Sequence, residues 1–239
     1  MIFEKQLHDD ACFITLTYSD PELPTHGTLY KPHLQKFFKR LRHHRGPFRY
    51  YACGEYGDST SRAHYHACIF GLDFKDKTFF RKTGEHTLYI SRELEEIWGH
   101  GQTSVGELTF ETAAYTARYV TKKTLGKGQQ RYVRLDTETG EIIPLVQPFA
   151  VMSLRSAIGA RWLPQFHGDI YANNKDFIVV RGKKMKPPKY YDKLYDIINP
   201  DHMASIKKIR VDNSKSLTDN ELRTREIITR ARLSSKTAI

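Results

Sequence analysis

The chain has no run approaching the ~18 uncharged apolar residues of a bilayer-spanning helix. Its N-terminus, Met1-Ile-Phe-Glu-Lys-Gln-Leu-His-Asp-Asp, has no apolar h-region. We therefore expect a cytosolic protein that does not span a membrane. Cysteine is scarce: Cys12, Cys53 and Cys68 are odd in number, lack C-x-x-C spacing and sit in strand-like apolar runs. That argues against a disulfide framework and for small reduced thiols packed in a core. There is no internal repeat and no low-complexity segment.

Acidic residues are the other shortage. Against 38 Lys+Arg stand 27 Asp+Glu, a formal charge of +11 with a pI near 9.5, which favours a polyanionic partner. The imbalance is patchy. Residues 31–45 carry Lys31, Lys36, Lys39, Arg40, Arg42 and Arg45 with no acid, and residues 121–134 carry Lys122, Lys123, Lys127, Arg131 and Arg134 with none. Concentrated positive charge of this kind suits nucleic-acid binding.

The 239 residues, 39% hydrophobic and 12% aromatic, suffice for one sizeable core. Ala11 to Tyr18 is β-branched and aromatic and stops at Ser-Asp-Pro-Glu-Leu-Pro, the pattern of a central strand and a loop. From Lys31, a proline in the first turn and Leu34, Phe37, Phe38 and Leu41 at i, i+3, i+4 and i+7 predict a helix with an apolar stripe and a basic face. Phe48 to Glu55 and Ala63 to Phe70 are expected to form an antiparallel hairpin. Ser91 to Trp98 reads as a short capped helix, and Thr109 to Gly126 as a longer one. Further on we expect a hairpin around Asp136 to Gly140, a helix over Met152 to Phe166, a strand at Asp176 to Val180, a basic Arg181-Gly-Lys-Lys-Met-Lys run, and a helix from Pro188 to Ile197. Residues 1–198 form the expected domain, and 199–239 a basic tail, extended or helical, with a disordered end.

Within the second hairpin strand stands His64-Tyr-His66. Alternation along a strand puts both imidazoles on one face, close enough to share a cation. A metal site needs a third ligand, and the hairpin returns Glu55 toward His64, with Asp58 in reserve. Two imidazoles and a carboxylate suit Mn²⁺ or Mg²⁺ acting as a Lewis acid better than a closed four-ligand zinc site, although affinity alone favours zinc. Tyr115 and Tyr119, four apart on a helix, share a face with Lys122 or Lys123, cations that lower a phenol pKa or neutralise a phosphate. A phenolate is the nucleophile for phosphodiester attack without water.

In order and spacing, Phe13-Ile-Thr-Leu-Thr-Tyr18, then Gly54-Glu-Tyr-Gly57 with His64-Tyr-His-Ala-Cys-Ile-Phe70, then Tyr115-Thr-Ala-Arg-Tyr-Val-Thr-Lys-Lys123 resemble the three motifs of HUH endonucleases. The two-tyrosine arrangement is similar to the rolling-circle initiators of single-stranded DNA phages, most of all those of gokushovirus-type microviruses. The resemblance covers residues 11–125, and more loosely 148–191. It implies an α+β fold, ferredoxin/RRM-related, with a central antiparallel sheet of four or five strands flanked by helices. His64, His66 and Glu55 would be the metal ligands, Tyr115 and Tyr119 the nucleophiles, and Lys122 or Lys123 a supporting cation. The implied partner is single-stranded DNA at a replication origin, with a host helicase and polymerase, for a monomer in the host bacterium's cytoplasm. Lys36, Lys39, Arg40, Arg42, Arg62 and Lys127 are the candidate DNA-binding cations. A family member is expected to carry a longer segment before the first motif than the ten residues here. A plasmid-type relaxase, an HUH transposase and a non-enzymatic nucleic-acid-binding module are the alternative readings.

Overall fold

A computed structural model of the chain describes residues 1–57, 60–84, 86–122, 132–173, 175–214 and 217–235, with the backbone alone at 119–122 and 232–235. The elements are α1 (Ile2–Lys5), β1 (Ala11–Thr17), α2 (Lys31–Arg45), β2 (Arg49–Tyr56), β3 (Ala63–Phe70), β4 (Thr78–Thr83), β5 (His86–Ile90), α3 (Arg92–Trp98), β6 (Thr103–Glu107), α4 (Phe110–Lys122), β7 (Val133–Leu135), β8 (Ile142–Pro144), β9 (Phe149–Met152), α5 (Leu163–Tyr171), β10 (Ile178–Val180), β11 (Lys183–Met185), α6 (Lys189–Ile198), α7 (Pro200–Asp212) and α8 (Asp219–Ser235). They group into two compact units, Met1–Gln165 and Phe166–Ile239.

The first unit is α+β, as expected. Its sheet has seven strands in the order β4-β5-β6-β1-β3-β2-β9, larger than the four or five anticipated, with every neighbouring pair antiparallel. β3 lies between β1 and β2 and is buried along most of its length, so it must serve two cores with alternate residues. Tyr65, Ala67 and Ile69 join Ile14, Leu16, Leu34, Phe37, Phe38, Leu41, Leu94 and Trp98 on the face covered by α2 and α3. Cys68 and Phe70 join Phe13, Leu108, Ala113 and Tyr115 on the other face, covered by α4. His64 and His66 share the parity of Cys68, so they fall on the α4 face.

Local chemistry explains the helices of the first core. The stripe Leu34, Phe37, Phe38 and Leu41 is covered, and α2 stops where Gly46 takes a φ of 78° and its N–H reaches the Arg42 carbonyl. α3 begins at Ser91, whose hydroxyl accepts from the Leu94 N–H, and ends at left-handed Gly99. Trp98 donates from Nε1 to the Thr17 carbonyl at 2.8 Å, tying α3 to β1. All three cysteines are free and buried.

Some local expectations are corrected. Met152 ends a strand, β9, rather than beginning a helix: Phe-Ala-Val-Met is β-prone and pairs with Tyr51 to Gly54 of β2, and the helix starts only at Leu163. β4, β5 and β6 extend the sheet through segments where no strand was anticipated. In the second unit β11 pairs with β10, and Arg210 binds both Asp176 and Asp192, while Tyr171 donates to Asp192 at 2.8 Å. The stretch after residue 199 forms α7 and α8, with Met203 and Ile206 of α7 buried, and the last four residues lie outside the described set. No helix among the described residues is long and apolar enough to cross a membrane.

Since Phe37 is fully buried while Lys36 is exposed, Phe37→Ala is expected to cost about 3–5 kcal/mol in denaturant unfolding. Lys36→Ala should stay within about 0.5 kcal/mol. Equal losses would contradict the placement of α2.

Candidate metal centre

The hairpin register sets the site. Glu55 of β2 is the cross-strand partner of His64 of β3, while Cys53 faces His66, and Thr17 and Thr15 of β1 face His64 and His66. The connection is tight, with the Gly57 N–H reaching the Arg62 carbonyl at 3.0 Å. Asp58, the reserve ligand, lies outside the described residues.

Three groups converge on one atom, Oε1 of Glu55, a side chain only 1% exposed. His64 Nε2 is 2.9 Å away, His66 Nε2 3.0 Å, and the Tyr115 hydroxyl donates to it at 2.8 Å. The far ring nitrogens are occupied. His64 Nδ1 donates to the Arg62 carbonyl at 2.9 Å, and His66 Nδ1 lies 3.0 Å from Thr15 Oγ1. A carbonyl only accepts, so the proton of a neutral His64 sits on Nδ1 and its Nε2 turns a lone pair toward the carboxylate. Lone pairs facing at 2.9 Å repel unless a proton or a cation lies between them.

Two buried ligand atoms are orphaned. Glu55 Oε2 has no hydrogen-bond partner, and neither does His66 Nε2, whose short approach to Oε1 lacks hydrogen-bonding geometry. An unpaired buried carboxylate oxygen beside an unpaired buried imidazole nitrogen is costly without a further partner. Burial alone would push the Glu55 carboxyl up, but hydrogen bonding and charge from His64 and His66 outweigh it and hold the group down at about 2. Burial pushes the His66 pKa down, keeping that ring neutral, against the opposing hydrogen bond from Glu55. The ligand atoms of Glu55, His64 and His66 all lie within 4.8 Å of one another. An ionised carboxylate with imidazole nitrogens so placed is a donor set that fits a divalent cation.

α4 supplies the phenol. Thr109 and Thr112 exchange backbone-to-hydroxyl hydrogen bonds at its start, Ala113 packs against Phe13 and Phe70, and the helix lies against β2, β3 and β9. That seats Tyr115 edge-on to His66, ring centroids 5.1 Å apart. Tyr119 and Lys122 belong to α4 by backbone, and Lys123 and Lys127 lie outside the described residues.

The proposed DNA-contacting cations do not gather at this cluster. Lys36, Lys39, Arg40 and Arg42 belong to α2, which covers the opposite sheet face. Arg40 donates to the carbonyls of Ile97 and Trp98, both at 2.8 Å, satisfying the end of α3, and Arg42 stacks 4.9 Å over Phe48. Arg62 is next to the cluster through its backbone, and its guanidinium binds the Tyr18 carbonyl and Asp20. Thr15 was missed as a site residue. Its only sequence signal is the Thr-x-Thr of the first motif, whose pairing with β3 is long-range.

The family model for the replication-associated protein of the ORF2 type matches residues 11–124. Over 233 residues the chain is 30% identical to replication-associated protein VP4 of Bdellovibrio phage phiMH2K, covering 92% of this chain and 69% of that protein. It is also 34% identical over 196 residues to replication-associated protein ORF2 of Spiroplasma virus 4, covering 76% of this chain and 56% of the relative. The chain belongs to this family of replication-associated proteins. A third relative, replication-associated protein ORF4 of Chlamydia phage 1, is 33% identical over 130 residues, half of this chain and 32% of that one. No solved structure matches. The residues that the family model matches contain Thr15, Glu55, His64, His66 and Tyr115 together.

A cation that binds only the folded state stabilises it. Mn²⁺ at a hundred times its Kd is expected to add about 2.7 kcal/mol, read as a rise in thermal midpoint. Glu55→Gln should abolish that rise, and an equal rise in the variant would show that the ion binds elsewhere.

Proposed function

We propose that this chain initiates rolling-circle DNA replication: it nicks one strand at the origin, keeps the 5′ end as a phosphotyrosine, and later rejoins the displaced strand into a circle. The observation that carries the reading is the convergence of His64, His66 and the Tyr115 hydroxyl on one oxygen of Glu55, within a fold unit shared with replication-associated phage proteins. Metal ligands and a nucleophile are thereby within one hydrogen bond of each other. Membership of a phage replication family favours this reading over a relaxase or a transposase. The site of action would be the host bacterium's cytoplasm.

Glu55, His64 and His66 would hold Mn²⁺ or Mg²⁺, which as a Lewis acid withdraws charge from the scissile phosphate. Glu55, accepting from the phenol, orients Tyr115 Oη beside that group. The phenol oxygen bonds to phosphorus, the bond to the 3′ oxygen breaks, the phenolic proton leaves and the departing oxygen takes one up as a 3′-OH. One phosphodiester is exchanged for another, so the step reverses without ATP. Tyr119, four residues along the same helix, is the proposed second nucleophile that cuts the regenerated origin while the free 3′-OH resolves the first linkage. Thr15 holds His66 by its far nitrogen and so fixes which atom faces the ion. Lys122 or Lys123 is the proposed supporting cation.

Labelled single-stranded fragments tiling the genome that encodes the chain, incubated with Mn²⁺ and run on a denaturing gel, should yield one covalent protein–DNA species. Tyr115→Phe with Tyr119→Phe should abolish it, while each single change leaves some nicking. His66→Ala should lower cleavage at least ~100-fold and DNA affinity less than about threefold. A fully active double tyrosine variant would overturn the nucleophile assignment. Intact DNA throughout would leave a binding module.

A further inference from the structure

Residues 177–191 read Phe-Ile-Val-Val-Arg-Gly-Lys-Lys-Met-Lys-Pro-Pro-Lys-Tyr-Tyr, with Arg181, Lys183, Lys184, Lys186 and Lys189 and no acid. The metal centre uses none of them. In the second unit they build a two-stranded antiparallel ribbon: β10 and β11 pair Ile178 with Met185, Val179 with Lys184 and Val180 with Lys183. The tip is a two-residue turn in which Arg181 has a φ of 52° and Gly182 a φ of 73°. Both central positions of such a turn require positive φ, so asparagine or glycine would sit at Arg181 with less strain. The sequence nonetheless places a guanidinium at the apex. Every residue from Arg181 to Lys186 is exposed, while Pro187 at the base is buried and Pro188 caps α6, which stiffens the attachment.

The flanking acids do not offset this charge, because Asp176 and Asp192 are both bound to Arg210. What remains is a narrow ribbon with cations on both strands and at the tip. A surface for single-stranded DNA would offer aromatic faces for bases to stack on. This ribbon exposes Val179 and Met185 between its cations, at 58% and 52%. The ring at its base, Phe177, has Lys184 Nζ 4.4 Å over it. A two-stranded ribbon is also a shape that the major groove of B-DNA admits, with phosphates along both rims.

We propose that the β10–β11 ribbon is a docking surface for duplex DNA, gripping the phosphate backbone through Arg181, Lys183 and Lys186. The inference rests on the initiator reading, because an origin nicked on one strand is flanked by duplex that the enzyme must hold while its strand-cutting site works on a single strand. It divides the labour: the first unit handles the cut strand, and the second holds the double helix.

The test uses the full chain and fluorescence anisotropy with a duplex of about 20 bp of arbitrary sequence and a dT oligonucleotide of equal length, over a salt series. The triple variant Arg181→Ala/Lys183→Ala/Lys186→Ala should lower duplex affinity at least ~tenfold and reduce the slope of log K against log salt by about 2.7, near 0.9 per phosphate contact. Binding of dT and Mn²⁺-dependent adduct formation on single-stranded DNA should change less than about twofold. Lys183→Gln/Lys186→Gln, which leaves the turn untouched, should give a proportionate part of the loss. An unchanged duplex slope in both variants would overturn the proposal, as would an equal loss for dT, which would make the ribbon a single-strand surface. Failure of the nickase reading has a different signature: no adduct from the wild-type chain, with ribbon-dependent duplex binding intact.

Discussion

A carboxylate 1% exposed on a sheet face is the constraint on which the rest of the first unit depends. Stripping water from an ionised carboxyl costs several kcal/mol unless charge and hydrogen bonds replace it. Glu55 obtains them from strand pairing, with His64 directly across, His66 two residues on, and Tyr115 from α4 above. The arrangement is incomplete as a purely protein network. One carboxylate oxygen and one imidazole nitrogen stay buried without partners, and two ligand lone pairs are aimed at the same space. A buried polar network that is nearly but not wholly satisfied points to a missing member, and the donor set says what charge that member carries.

The large sheet serves this geometry. β3 is held on both sides, so a slip of its register would turn His64 and His66 into the apolar core beneath α2. That core, with Trp98 bonded to β1 and Arg40 closing the end of α3, opposes such a slip. Across the sheet, α4 can carry a nucleophile because Ala113 and the buried Thr116 let it approach β2 and β3 closely. The face that carries chemistry and the face that carries stability are read from alternate residues of the same strand.

That alternation is also why so much was legible. A His-x-His pair in an apolar run, a turn-rich link and a glutamate at the end of the preceding strand sufficed to bring Glu55, His64 and His66 together, since hairpin pairing is local. The α2 stripe was equally plain, but a helix pattern does not say which sheet face it covers. The basic residues of α2 therefore looked closer to the site than they are. Thr15 and β9 were illegible for a related reason: Thr15 meets its partner 51 residues away, β9 pairs with a strand still more distant in the chain, and no short-range pattern encodes such pairing. β4 escaped notice because its six residues are all exposed and lack the alternation of a half-buried strand.

The central claim is that Glu55, His64 and His66 hold one divalent ion beside Tyr115, and pulsed electron paramagnetic resonance of the Mn²⁺-loaded chain addresses it most directly. The account predicts nitrogen modulation from two imidazoles in the wild type and from one in His64→Ala or His66→Ala. No nitrogen coupling in the wild type, or the same coupling in all three proteins, would contradict it.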